Sequence, residues 1–187
     1  AVPVAEDVIR VAFIYKPAAV TPVGDSVIHD DAAFSGLARQ PLAQEFARRT
    51  TERASAPSFV VIANHFKSKG SAPKNLSGAE AAANTDNGDG QGNSNGVRVK
   101  QARALATFAQ RFNGTPTLLV GDFNAYSKED PLKVLTDAGW THESGHGDSS
   151  YVYGGRSGSM DHVFANSAAH PLITEVKSWA VNAQESI

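Results

Sequence analysis

Apolar positions along the chain fall into short runs separated by polar, glycine-containing stretches, a pattern that mixes strands with helices. The segment Val8-Ile9-Arg10-Val11-Ala12-Phe13-Ile14-Tyr15 is dense in β-branched and aromatic residues and stops at Lys16-Pro17, which predicts a buried strand followed by a long loop. After Pro41 the run Leu42-Ala43-Gln44-Glu45-Phe46-Ala47 alternates loosely, Arg48 to Pro57 is polar, and Phe59-Val60-Val61-Ile62-Ala63 is continuously apolar. Two strands joined by a polar turn are the simplest reading. A helix from Pro41 is the alternative, since Leu, Ala, Gln and Glu all favour one.

Residues 68–95 are rich in Gly, Asn, Ser and Asp and show no apolar periodicity, which predicts a long exposed loop, functional or mobile. Val99, Ala102, Ala106 and Ala109, with Leu105 and Phe112 nearby, then share one helical face, and Asn113-Gly114 supplies the stop. Thr117-Leu118-Leu119-Val120 reads as a short strand ending at Gly121. Asp130-Pro131 reads as an N-cap with proline at the first helical position, Leu132, Leu135 and Ala138 facing inward and Gly139 past the end. Tyr151 to Tyr153, Met160 to Ala165 and Ile173 to Val181 read as three closing strands. The order strand, helix, strand, helix, strands points to a layered α/β domain without internal repeats.

With 187 residues the chain is long enough to bury a sizeable core as one domain or one large piece of one. It holds no run of eighteen apolar residues, so no helix of it spans a bilayer. It has no cysteine, which excludes disulfides, thiolate nucleophiles and Cys-based zinc sites. A formal net charge of −2 means that any contact with nucleic acid would come from a local basic patch, not from a global positive field.

Three segments carry candidate chemistry. In Gly121-Asp122-Phe123-Asn124-Ala125, strand alternation would point Asp122 and Asn124 the same way, with Phe123 packed behind. A carboxylate and a carboxamide then sit together at a strand's C-terminal end, where α/β sheets commonly place sites. Such oxygens suit a hard cation such as Mg²⁺, and phosphate chemistry needs a positioned water and neutralised phosphate oxygens. Asp122 would orient the water or bind metal, and Asn124 would donate to the phosphate; turn chemistry alone is the bland reading. In Asn64-His65-Phe66-Lys67-Ser68-Lys69-Gly70-Ser71, His65 would act as donor or acid and Lys67 or Lys69 as point charges on phosphate, although a structural His is the commoner case. In Ser159-Met160-Asp161-His162-Val163-Phe164, an Asp inside a strand-like run is costly to bury unless it binds metal or a cation; an exposed strand position or a partner for Arg156 is the alternative.

In this order the three segments resemble the endonuclease/exonuclease/phosphatase superfamily, the deoxyribonuclease I-like fold, and within it secreted bacterial extracellular nucleases. Ile9 to Pro17 with Val20-Thr21-Pro22-Val23-Gly24, Gly88-Asp89-Gly90-Gln91-Gly92 and Lys128-Glu129-Asp130-Pro131 extend the likeness. The resemblance implies an α/β sandwich of mixed sheets with flanking helices, incomplete at both ends, with residues 1–187 the C-terminal-side portion of one domain. It implies catalytic roles for His65, Asp122, Asn124 and Asp161, and Mg²⁺, or Mn²⁺ or Ca²⁺, held by Asp122, Asn124 and Asp161. Lys67, Lys69 and Arg98 would contact substrate, although Arg98, with Lys100 and Arg103, also reads as part of a solvated helix face. The implied partner is nucleic acid, DNA first, with no membrane, and the implied location is extracellular.

The family pattern also uses an Asn and a metal-binding Glu from strands upstream of Ile9 and a terminal Ser-Asp-His-x-Pro. Neither occurs here; Glu6 precedes the first run in no matching context, and Ala72-Pro73 and Asn93-Ser94-Asn95 stand where the secreted relatives carry cysteines. A phosphatase or phospholipid phosphodiesterase using the same site, and a catalytically inactive fragment, are therefore competing expectations. His142-Glu143-Ser144-Gly145-His146 matches the zincin spacing, but surrounding glycines oppose the helix that spacing needs. Asp86-Asn87-Gly88-Asp89-Gly90 begins like a calcium loop without the distal Glu.

Overall fold

The structure, a computed structural model, describes residues 9–49, 57–144, 149–153 and 155–178. Six strands form one sheet in the order β1-β2-β3-β4-β8-β5: β1 Val20–Ile28, β2 Arg39–Arg48, β3 Ser58–His65, β4 Thr117–Asp122, β5 Thr141–His142 and β8 Asp161–Ala165. A separate hairpin joins β6 Tyr151–Tyr153 to β7 Arg156–Gly158. The helices are α1 Gly78–Ala82, α2 Asn95–Ala109 and α3 Asp130–Asp137. This is the expected mixed α/β sheet with flanking helices.

Pairing is antiparallel except between β3 and β4, which run parallel because α2 carries the chain back between them. Alternation splits β3 cleanly. Val60, Ile62 and Asn64 are buried, and the two apolar ones join Leu119, Phe164, Leu105 and Leu135 in the core. On the other face Phe59, Val61, Ala63, Leu118, Val120 and Val163 form an apolar surface that is only half buried. Among the described residues no helix is long and apolar enough to cross a membrane.

Two expected strands are not formed. Residues 9–16 are not a strand: Ile14 is fully exposed, and Phe13 and Tyr15 lie against Phe46 with ring centroids 5.7 and 5.5 Å away. The strand is Val20–Ile28, within the stretch expected as loop. Its Pro22 and Gly24 weaken a strand signal but are tolerated at a sheet edge, where the register shifts between Val23 and Val27. Residues 173–178 form no strand either, since β4 and β5 already occupy both edges of β8, and 179–181 lie outside the described residues.

Other differences are local. Glu129, not Asp130, is the N-cap of α3, and Ala138 is exposed. The buried side of α2 is centred on Val97, Gln101, Leu105 and Phe108. The 68–95 stretch contains α1 and is partly interior. Ser94 and Asn84 are buried, the Ser94 hydroxyl donates to the Ser71 carbonyl at 2.7 Å, and the Val97 N–H donates to Asn84 Oδ1 at 2.9 Å.

Candidate active site

The register of the central strands sets one row of side chains. Asp122, the last residue of β4, pairs with His65 at the end of β3 on one side and with Asp161 at the start of β8 on the other. Directly paired residues point to the same face, so His65, Asp122 and Asp161 stand side by side at one end of the half-buried apolar face. His65 Nε2 is 3.6 Å from Asp122 Oδ2, and Asp161 is exposed.

Asp122 and Asn124 meet for a reason other than strand alternation. The strand ends at Asp122, and Asn124 takes a left-handed backbone, φ +48°, which Asn tolerates better than most residues. In that turn the Asn124 N–H donates to Asp122 Oδ1 at 2.7 Å, while Asn124 Nδ2 donates to the Phe66 carbonyl at 3.0 Å and to Asp122 Oδ2 at 3.3 Å. Phe123 is fully buried against Phe66 and Phe164, as expected. With both amide hydrogens used inside the protein, the free polar end of Asn124 is its oxygen. That corrects its expected role as a donor to phosphate.

Burial raises the Asp122 carboxyl above its ordinary value, opposed by the Asn124 N–H; the charge of Asp161 raises it further, and His65 and Arg39 lower it.

Gly121 makes the row possible. Its φ is +127°, and a Cβ there would sit 2.2 Å from the Asn64 carbonyl oxygen, so β4 can lie this close to β3 only with glycine.

A cleft of about 330 Å³ opens over Asp122, Asn124 and Asp161, with Ser68, Lys69 and Gly70 from the β3 side and Tyr151 and Met160 from the β8 side; His65 does not line it. Lys69 lies over the Tyr126 ring, 4.9 Å from its centroid, and its Nζ donates to the Gln91 carbonyl and pairs with the Glu129 carboxylate. Burial lowers its pKa, opposed by Glu129. Lys67 is half buried and does not line the cleft; its N–H donates to Gln101 Oε1 at 2.9 Å.

Arg98 corrects two expectations, the phosphate contact and the solvated face. It is 0% exposed, and its guanidinium donates to the carbonyls of Lys67, Asn93 and Gln91. It fixes the loop rather than meeting substrate. Lys100 and Arg103 are exposed, as expected.

Two supporting residues escaped sequence reasoning. Glu129 is buried and anchors Lys69; its signal was its place as a charged residue just before an N-terminal Asp-Pro. His162 is 3% exposed and bonds Ala125 O at 2.8 Å and His142 Nε2 at 2.9 Å. A carbonyl only accepts, so His162 Nε2 carries the proton and Nδ1 accepts from His142. Burial keeps His162 below its ordinary pKa, and the pair ties β8 to the chain just beyond Asn124. His142 itself lies in β5, which excludes the helical zincin arrangement; His146 is outside the described residues. Asp86 and Asp89 accept the N–H groups of Gly88 and Gln91, a pair of turns in the calcium-like segment.

This sheet and its flanking helices have the fold seen in solved structures of endonuclease/exonuclease/phosphatase family proteins. One is a family protein from Bacteroides thetaiotaomicron, 10% identical over 82% of this chain and 53% of that one, with a TM-score of 0.54. A mannosyl-6-phosphatase from the same species is 11% identical over 82% and 55%, TM-score 0.53. The human Nocturnin catalytic domain with bound sulfate is 15% identical over 80% and 49%, TM-score 0.50. The chain thus spans about half the length of the structures it matches. No protein-family model and no curated protein sequence matches it.

Proposed function

We propose that the chain is the C-terminal-side portion of a metal-dependent phosphodiesterase domain, a nuclease acting on DNA or RNA outside the cell. The observation that carries this is the row His65, Asp122, Asp161, whose two carboxylates line one cleft together with Asn124. The half-buried apolar face behind the row, and matched structures of about twice the length, support a missing second layer.

The donors fit a hard divalent cation in part. Asp122, Asp161 and the Asn124 oxygen would supply oxygen ligands from one cleft. Among the described residues no group of three or more His, Cys, Asp and Glu gathers for a metal. A cation bound there would neutralise phosphate oxygens. Asp122 Oδ2 holds or accepts a water proton, and His65 Nε2 beside it donates to a phosphate oxygen. Lys69 stands on the cleft wall with its charge compensated by Glu129, so its ammonium can meet a phosphate as a hydrogen-bond donor within that ion pair.

Plasmid DNA incubated with the protein tests this reading. Cutting should require Mg²⁺ or Mn²⁺ and should fall about 10²–10⁴-fold in Asp122→Ala, the range of a positioned proton-transfer group; full activity in that variant would remove the assignment. Sugar phosphates and lipid phosphodiesters as alternative substrates separate the nuclease from a phosphatase or lipase of the same fold.

A further inference from the structure

The cleft has two chemically different walls. Charge and hydroxyl groups from residues 68–70 face one side of Asp122, whereas the other side is built from Tyr151 and Met160, an exposed aromatic and a flexible thioether. A phosphodiester group alone gives no reason for the second wall, because its oxygens want donors and cations. An aromatic face exposed beside a phosphate site recognises a flat group attached to that phosphate.

The Tyr151 wall is built as a fixed surface. Tyr151 begins β6 and pairs with Gly158 of β7, where the absent Cβ admits the Tyr126 ring; a Cβ would be 2.6 Å from it. The hairpin is stitched to the Asp161 strand by serines. Ser150 Oγ accepts the N–H of Met160 at 3.3 Å and meets Ser159 Oγ at 3.1 Å, while Ser149 Oγ donates to the Gly158 carbonyl at 3.2 Å. Tyr151, 40% exposed, is thus held in register with Asp161, and Tyr126 connects the hairpin to Lys69. One aromatic side chain thus stands in the same cleft as the two carboxylates, and an aromatic face on which a base can stack is one of the parts that hold single-stranded nucleic acid.

We propose that Tyr151, with Met160 beside it, is a stacking platform for the nucleobase next to the phosphate at Asp122, so that the site takes nucleotide chains in preference to sugar or lipid phosphates. This rests on the nuclease reading of the same cleft and adds the side chain that would select its substrate. A tyrosine face stacks on any base, so the platform gives affinity with little sequence preference.

The test measures binding by anisotropy, with Mg²⁺ present, in an Asp122→Asn background that prevents cutting. The probes are a short fluorescent single-stranded oligonucleotide and the same strand made wholly of abasic nucleotides. The intact strand should bind on the order of tenfold more tightly. That ratio should persist in Tyr151→Phe and Tyr151→Trp and fall to about one in Tyr151→Ala, with unchanged circular dichroism and melting showing that the fold survives. An unchanged ratio in Tyr151→Ala, equal binding of both strands by the parent, or no binding of either strand overturns the platform. Should Tyr151→Ala prove unfolded, the Phe and Trp variants still decide, since loss of the ratio in both overturns it. Plasmid cutting by protein with Asp122 intact is scored separately: cutting without base preference removes only the platform, and base preference without cutting removes only the nuclease reading.

Discussion

Asp122 stands directly opposite Asp161 across the antiparallel β4–β8 pairing, while His65 flanks it on the parallel side with Nε2 3.6 Å from Asp122 Oδ2. Two carboxylates and an imidazole are thereby fixed by backbone pairing instead of by flexible loops. Changes that alter strand spacing should therefore disturb the site as strongly as changes to its side chains.

Gly121→Ala is the direct case. The added methyl would collide with the Asn64 backbone carbonyl, and φ +127° is strained for alanine, so a loss of about 3 kcal/mol is expected. Gly158→Ala should cost less, because the group it meets is the Tyr126 ring, which can turn aside. Urea unfolding of the two variants checks the ranking; equal midpoints would contradict it.

Glu129→Gln tests the anchoring of Lys69. The change keeps the shape but leaves a half-buried ammonium without its counter-charge, at an expected cost of about 1.5–3 kcal/mol. The double variant Lys69→Met, Glu129→Gln should recover part of that loss, because no unpaired charge then remains. A double variant less stable than Glu129→Gln alone would show that the pair is not the source of the effect.

Arg98→Met should loosen the chain around Gln91 and Asn93 while leaving the sheet intact. Three carbonyls lose their donor, and the methionine replaces only the stem. Limited proteolysis should cut first within residues 84–94 in this variant, and amide exchange in β3 and β4 should stay slow. Fast exchange throughout would instead mean a global loss of stability.

Acid should weaken the fold through its buried histidines. His29 stacks on Phe108 with centroids 4.4 Å apart, and burial lowers its pKa from 6.5, with Asp31 opposing and Arg111 adding to the shift. The unfolded chain then binds the proton more readily than the folded one. Stability is full above about pH 6.5 and is lost as pH falls through that value towards the folded pKa. His162, also lowered by burial, acts in the same direction. Urea midpoints measured between about pH 7.5 and about pH 5 should fall with acid, and His29→Phe should reduce the slope; an unchanged slope would assign the effect elsewhere.

Apolar runs in the sequence were enough to locate β2, β3, α2, β4 and α3, because each carries its own periodicity or stop signal and short-range physics decides it. The segments Asn64 to Ser71, Gly121 to Ala125 and Met160 to Asp161 already contained every residue that lines the cleft except Tyr151. Partnership could not be read there. Phe13 and Tyr15 look like strand residues but pack on Phe46, whereas Val20–Ile28, interrupted by Pro22 and Gly24, pairs as an edge strand because β2 offers it a free side. Arg98 looks like a solvated cation until the carbonyls of Gln91 and Asn93, just before its helix, and of Lys67, beyond β3, surround it. Residue type and spacing therefore determined which groups are available for chemistry. Only long-range strand register, a product of the whole sheet, decided that Asp122 lies between His65 and Asp161 and that Tyr151 shares a cleft with the two carboxylates.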